Sequence, residues 1–330
     1  MKKFQVTGIG NAMVDVLART DDAFLESHGI DKGVMQLIDK DRATDLYAHV
    51  GVAQQVSGGS AANTIAGIAH LGGRTAYVGK VRDDQLGEIF AHDLRAQGAA
   101  YDTPMASADT VQETGRCIVC VTPDGERSMN TYLGVSETLG PNDIDEALMA
   151  ESDWIYLEGY RFDGPDSHAA FEKAITACKA AGGRVALTLS DPFCVERHRE
   201  AFRRLIADHV DLLFANRMEI LSMYETADLD AALLAASGQV EIIACTDSEK
   251  GAHVMSGGER WHIPALLTEI QDATGAGDLF AAGFLWGIVN GQALEQAGRM
   301  GCIAASEIIG HVGARPEQDL KNLFHQHGVI

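Results

Sequence analysis

From Trp154 onward the chain keeps one rhythm. Short apolar runs (WIYLEGY, RVALTLS, VDLLFAN, VEIIACT) alternate with longer stretches of helical character. Apolar runs of this length read as strands buried on both faces, and strand–helix alternation implies a mostly parallel sheet with helices on either side. The beginning of the chain follows the same plan. FQVTGIGNAMVDVLA reads as a buried strand and its continuation, and GGSAANTIAGIAHLGG as a Gly-rich turn and a helix ending at Gly72 and Gly73. TAYVGKV is a strand, and DQLGEIFAHDLRAQG an amphipathic helix stopped by Gly. After VEIIACT come a hairpin and a helix entered near Asp272, and the last clear helix runs through GCIAASEII. The expected fold class is α/β, a three-layer α/β/α arrangement around a mostly parallel sheet.

Two stretches, roughly 13–56 and 112–132, break the rhythm. The first mixes a short helix, a strand-like VMQLID and another helix. The second, GRCIVCVTPDGERSMNTYL, reads as a hairpin turning at Asp124-Gly125. Together they are expected to form one small β-rich lid on a single domain spanning residues 1–330. The chain carries no repeat and no low-complexity linker.

Charge narrows the partners. With 26 Lys and Arg against 47 Asp and Glu, the net charge of −21 repels nucleic acid and anionic membranes. Small anions stay open, because one local site can reverse the field. No apolar run reaches the roughly 18 residues of a membrane span. Asn11 and Asp15 interrupt the only N-terminal apolar stretch, so a cytoplasmic protein is expected. Cys117 and Cys120 sit in the strand-like RCIVCV and should point to opposite faces, which argues against a redox pair or half a zinc site.

The most informative stretch is DATGAGDLFAAGF, Asp272 to Phe284. Thr and Asp cap helices, and Gly275 and Gly277 suit a tight turn, so Asp278 can be read as a first-turn residue satisfied by the helix dipole. The same residues also build a ligand site. Gly275, Ala276 and Gly277 leave helix N-terminal N–H groups open to an anion, and a carboxylate beside them can accept a proton from a hydroxyl. That is the equipment for phosphoryl transfer from a nucleotide to an alcohol. Downstream in the same helix, Gly283 and Gly287 offer another element a close approach.

Other nucleotide and hydrolase signatures are absent. GIGN lacks the third Gly of a dinucleotide fingerprint, there is no Walker-type loop, and neither H-E-x-x-H nor G-x-S-x-G occurs. GGSAANT places Gly58, Gly59 and Asn63 where a turn enters a helix, as a polyhydroxy-ligand turn or a plain cap. GNAMVD supplies Asn11 and Asp15 near the end of the first strand, where a carboxylate can grip two neighbouring hydroxyls. NRMEI sets Asn216 and Glu219 three apart after a strand, as a capping box or as partners of a hydrated magnesium ion.

These motifs, in this order, resemble the ribokinase-like (PfkB) family of carbohydrate and nucleoside kinases over nearly the whole chain. DATGAGD is similar to the family's late D-T-x-G-A-G-D signature, with Ala273 where Thr is frequent. GGSAANT is similar to the early Gly-Gly motif, and Asn216 and Glu219 to its N-x-x-E motif. The resemblance implies a nine-stranded sheet with a β-rich lid, and ATP with Mg2+ as phosphoryl donor. It implies Asp278 as the base, with Gly275, Ala276 and Gly277 as the anion hole. Asn216, Glu219, Thr246 and Gly251 would serve ATP and its phosphates, Glu219 reaching Mg2+ through water. Asp272 is the candidate ligand of a monovalent cation such as K+.

Within the family, several stretches are similar to adenosine kinases: GNAMVD, ETGRCIVCVTPDGERSMN with Arg127 and Ser128, LSDPF and HVGARP. By that resemblance Asn11 and Asp15 grip ribose, with Gly58, Gly59 and Asn63 beside them. Met13, Met35, Leu37, Met129 and Phe193 line an apolar slot for the nucleobase. DDAFLESHGIDKGVMQLID is similar to bacterial inosine-guanosine kinase. Tyr160, Arg161 and Phe162 fall where adenosine kinases carry aromatic residues, and Arg161 would favour a carbonyl-bearing purine. The expected partners are a nucleoside or sugar and ATP, in a monomer or homodimer. Adenosine is the first choice of acceptor, inosine or guanosine the second and a simple sugar the third.

Overall fold

In the computed structural model, which describes all of residues 1–330, the chain moves between two sheets. It begins with β1 (Phe4–Ile9), β2 (Met13–Arg19), α1 (Asp22–Ser27), β3 (Met35–Leu37), α2 (Lys40–His49) and β4 (Ala53–Gly58). It continues with α3 (Ser60–His70), β5 (Thr75–Val78), α4 (Gln85–Ala96), β6 (Gly115–Val121), β7 (Arg127–Tyr132) and α5 (Glu146–Ala150). Next are β8 (Ser152–Glu158), α6 (Ser167–Ala180), β9 (Arg184–Thr188), α7 (Pro192–His209), β10 (Leu212–Asn216), α8 (Arg217–Met223) and α9 (Leu229–Ser237). The last are β11 (Ile242–Thr246), β12 (Ala252–Ser256), β13 (Glu259–Ile263), α10 (Ala276–Val289), α11 (Leu294–Ile309) and α12 (Leu320–Gln326).

The larger sheet has eight strands in the order β13-β12-β11-β10-β9-β8-β1-β5. Pairing is parallel from β11 to β5, and β12 and β13 add an antiparallel hairpin at one edge. The expectation of nine strands is corrected: next to β5 the chain makes only an isolated parallel bridge, Ala76 to Ala100. Alternate residues of each strand feed two cores. Val6, Trp154, Tyr156, Ile242 and Ala244 pack with α3, α10 and α11, whereas Ile155, Leu157, Ile243 and Cys245 pack with α6, α7, α8 and α9. Period-two alternation in strands that are apolar on both sides gives the three layers.

Helix α10 is buried along most of its length, wedged between the sheet, α3 and α11. Its glycines explain how. A Cβ on Gly283 would lie 2.6 Å from the Met300 carbonyl oxygen, and one on Gly287 3.0 Å from the Cα of Ala297, so α11 lies almost backbone to backbone on α10. From the other side, a Cβ on Gly67 of α3 would meet Ala282 and Leu279 of α10 at 2.8 Å.

The two stretches outside the rhythm form a second sheet, ordered β3-β7-β6-β2-β4. One face, with Val16, Ala18, Ile118 and Cys120, is covered by Leu25 of α1, by Leu46 of α2 and by Val50 just after it. Register fixes the other face. Asp15 pairs with Cys117 and Val56, Met13 with Gly58, and Met35 with Met129. Directly paired residues share a face, so Met13, Asp15, Leu17, Met35, Cys117, Val119 and Met129 stand together. Cys117 and Cys120 point to opposite faces, as their spacing requires. Two readings change. The strand continuing past Gly10 is a separate element, so Asp15 lies mid-strand in β2 and not at the end of the first strand. AQQVSG, read as part of a helical stretch, is the edge strand β4.

Candidate active site

The chain passes from the larger sheet to the second one through Gly10, Asn11 and Ala12. Glu158, at the end of β8, holds this crossing. Its carboxylate accepts the Asn11 N–H (3.2 Å) and the Ala61 N–H in the first turn of α3 (2.8 Å). Burial pushes Glu158 up to about 7, against those two hydrogen bonds. The Asn11 side chain is itself fixed. Its Oδ1 accepts from Ser136 Oγ and from Arg161 Nη1, both at 2.9 Å, which leaves Nδ2 buried without a partner. A buried amide donor without an acceptor is costly, so Nδ2 marks a place for a ligand oxygen.

Gly58 and Gly59 close β4 and open α3. Gly59 adopts φ 94°, and a Cβ there would collide with the Asn11 carbonyl. A Cβ on Gly58 would occupy the space of the Asp15 carboxylate. Asp15 is buried and makes no hydrogen bond or ion pair. Burial raises it to about 7; Arg315 and Arg127 lower it, and Asp278 raises it further.

Asp278 sits in the first turn of α10. Its two carboxylate oxygens accept from Ser60 Oγ (2.6 Å) and Asn63 Nδ2 (3.0 Å), and its carbonyl from Thr64 Oγ1 (3.1 Å). Withdrawal from water raises the carboxyl to about 6, while Ser60, Asn63 and Arg315 pull it down. It is therefore ionised at neutral pH and close enough to neutrality to take and return a proton. Gly275 caps the helix in the left-handed region (φ 80°) with no side-chain hydrogen bond. The N–H groups of Gly275, Gly277 and Asp278 have no acceptor in the protein. The expected anion hole changes in one member: the Ala276 N–H turns back to the Ala273 carbonyl at 3.3 Å.

Asn216 and Glu219 start α8 as a reciprocal capping box. Asn216 Oδ1 accepts the Glu219 N–H (2.9 Å), and Glu219 accepts the Asn216 N–H (2.8 Å) and Nδ2 (2.6 Å). Burial raises Glu219 to about 7, with Asp191 and Asp278 adding to the rise. Thr246 lies beside Asn216 in register, at the C-terminal ends of β11 and β10, where open α/β sheets bind ligands. Gly251, at φ 96°, has a backbone reason for being Gly, since any Cβ would strike the Ile263 carbonyl.

Asp272 does not fit the cation expected there. Its carboxylate accepts the N–H groups of Thr274 (2.9 Å) and Gly313 (2.7 Å), and it meets Arg127 of β7 in a buried ion pair. A cation would have to displace the guanidinium. The purine-reading role of Arg161 is also overturned. Arg161 is 1% exposed and spends its fork on Asn11 and on the carbonyls of Ser136 and Leu139. Phe162 packs in the core against Phe171 and Phe202, and Tyr160 donates its hydroxyl to the Ser190 carbonyl. Met35 and Met129 are half-buried, while Leu37 and Phe193 are 44% and 50% exposed; Phe193 belongs to α7, not to the second sheet.

Ser60, Glu158 and Arg315 are site residues that sequence reasoning missed. Arg315 is held by the carbonyls of Ser57 and Ala62. A carboxylate at the C-terminal end of a buried strand, as Glu158 is in WIYLE, was the readable signal for the second.

A family profile described as pfkB family carbohydrate kinase matches residues 26–320. The chain belongs to the pfkB family. It is therefore a phosphotransferase that acts on a hydroxyl group, of the sugar or nucleoside type, on a ribokinase-like fold. Among solved structures, an adenosine kinase from Sinorhizobium meliloti is 48% identical, covers 98% of this chain and 99% of its own, and has a TM-score of 0.94. A probable sugar kinase protein from Rhizobium etli CFN 42 is 45% identical over 100% of both chains, with a TM-score of 0.96. An ATP-dependent ribose-1-phosphate kinase from Halopiger xanaduensis is 30% identical over 84% of this chain and 88% of its own. No helix of this pfkB kinase is long and apolar enough to cross a membrane.

Proposed function

We propose that this pfkB kinase transfers the γ-phosphate of ATP to the 5′-hydroxyl of a ribonucleoside, with adenosine as the preferred acceptor in the cytoplasm. The observation that carries this reading is the inner face of the second sheet. There an unpartnered buried carboxylate, Asp15, is set among Met13, Met35 and Met129, with Leu37 at the edge. A carboxylate suits vicinal ribose hydroxyls, and thioethers suit a flat base; a hexose would call for more polar groups. The likeness to the Sinorhizobium meliloti adenosine kinase supports the same choice.

In this reading Asp15 and Asn11 Nδ2 hold the ribose, and Phe193 borders the base from α7. Asp278 accepts the proton of the attacking hydroxyl. The free N–H groups at the start of α10 hold oxygens of the transferring phosphoryl group as charge develops. Asn216, Glu219, Thr246 and Gly251 face the nucleotide. Mg2+ fits beside Glu219: Asp191 Oδ2 is buried without a partner there, and no cation acts on the Glu219 carboxylate. When bound, the ion neutralises phosphate charge. Potassium at Asp272 is not part of the proposal. The two stretches of the second sheet act as the lid, shielding the acceptor from water.

The test is a panel of adenosine, inosine, guanosine, ribose, fructose and ribose 1-phosphate with ATP and Mg2+, with products resolved by mass spectrometry. The highest kcat/KM is expected for adenosine. A preference for inosine or guanosine would change the base, and a preference for any sugar would overturn the ribonucleoside reading.

A further inference from the structure

The segment joining α11 to α12 is pinned at both ends by buried carboxylates. Asp272 accepts the Gly313 N–H (2.7 Å), and Glu307 accepts those of Glu317 (3.0 Å) and Gln318 (2.9 Å). Between these anchors, Ala314 packs on the cap of α10; a Cβ on Gly275 would be 2.9 Å from that of Ala314. The next residue, Arg315, reaches inward. Its Nη1 donates to the Ala62 carbonyl (3.0 Å) and its Nε to the Ser57 carbonyl (3.4 Å). Those carbonyls flank Gly58, Gly59 and Ser60, so Arg315 clips the turn whose Ser60 and Asn63 hold the two oxygens of Asp278. Its Nη2 is buried with no partner.

We propose that Arg315 is a positioning residue for phosphoryl transfer, which fixes the Gly58–Gly59 turn against α10 and sets a positive charge within electrostatic reach of Asp278 and Asp15. The inference rests on the reading of Asp278 as the base. The charges around Asp278 explain why one cation matters. Asp15 on β2, Tyr156 and Glu158 on β8 and Glu219 on α8 all interact with it unfavourably when ionised, and Ser60 and Asn63 on α3 are neutral. Arg315 is the one cation acting on Asp278, whereas Asp15 has Arg127 as well. Burial lowers Arg315 itself to about 10, which leaves it charged through the neutral range.

Two variants separate charge from clip. R315Q removes the charge, and R315K keeps it but loses the two-pronged hold on the turn. With the best acceptor of the panel, kcat and kcat/KM are followed from pH 5.5 to 9. In R315Q the acid limb should move up by about 0.5–1 pH unit, so that the rate at pH 6 falls about 2–5-fold more than at pH 8. R315K should keep the wild-type limb with kcat down about tenfold. A wild-type acid limb in R315Q together with an unshifted Asp278 carboxyl overturns the charge role; a wild-type kcat in R315K overturns the positioning role and is readable even if R315Q does not fold. Titration of 13C-labelled aspartate carboxyls in the ligand-free protein, with Asp278 assigned through D278N, tells the two hypotheses apart. An Asp278 signal that titrates higher in R315Q while the kinetic limb stays put supports this inference and sinks Asp278 as base. An unshifted signal sinks this inference alone.

Discussion

Helices α8 and α10 begin within electrostatic reach of each other, and their first turns are finished in opposite ways. At α8 the chain closes on itself: Asn216 and Glu219 exchange three hydrogen bonds, one of which gives the Glu219 N–H of the first turn its acceptor. At α10 the cap is a glycine without a side chain, the first N–H groups are free, and the one carboxylate in the turn faces α3. A closed cap contributes about 0.5–2 kcal/mol to stability, which α10 forgoes. The difference teaches that helix-end polarity serves the fold when the chain supplies its own acceptor, and serves a ligand when it does not.

The comparison can be broken most severely at Asp278. Asp278→Asn should lower kcat about 10²–10⁴-fold while calorimetry finds ATP binding little changed. Turnover within a few-fold of wild type would make the start of α10 an ordinary helix end. Asp15→Asn is next. Losing a charged hydrogen-bond partner costs roughly 1.5–3 kcal/mol, an acceptor KM raised about 10–150-fold, with the KM for ATP unmoved. The same change carries a stability signature. Asp15 goes from an ordinary 3.8 in the unfolded chain to about 7 in the fold. Between those values the folded state keeps a proton the unfolded chain has lost, so the Asp15 contribution falls as pH rises from about 4 to about 7. Ligand-free Asp15→Asn should therefore melt about 2 °C or more above wild type at pH 8, with the gain shrinking at pH 5. No gain at pH 8 would mean that Asp15 has a partner in solution. The smallest effect is expected at the closed end. Asn216→Ala should cost about 0.5–2 kcal/mol in urea unfolding, and an unchanged midpoint would show the capping box to be idle.

Much of this was legible beforehand because period and pattern agree. WIYLE, VALT, LLFA and IIACT are apolar on alternate and intervening positions alike, which only a sheet covered twice can use. The free turn was legible at Gly277, which has no packing reason to be small: nothing stands within 4 Å of a Cβ placed there, whereas Gly275 is required by its φ of 80° and by Ala314. AQQVSG was not legible, because an edge strand with Gln54 and Gln55 in water has no apolar alternation to reveal it. Arg161 misled for another reason. An Arg among aromatic residues looks like a ligand contact until its carbonyl partners, 22 and 25 residues away in sequence, are brought to it by folding. Arg315 was hidden likewise, since Ser57 and Ala62 lie more than two hundred residues earlier.

The near-contact of α10 and α11 at Gly283 and Gly287 has a mechanical outcome. With backbones this close there is no layer of side chains to shear, so the two helices travel as one stiff lever. Asp278 stands at the head of the first helix, and Glu307, in the last turn of the second, grips the segment that carries Arg315. Both ends of the proposed phosphoryl site are therefore mounted on the same beam. Any change in the gap between that site and Asp15 has to come from tilting the second sheet about Gly10–Ala12 and Gly58–Gly59, and the beam itself keeps its internal spacing from one turnover to the next.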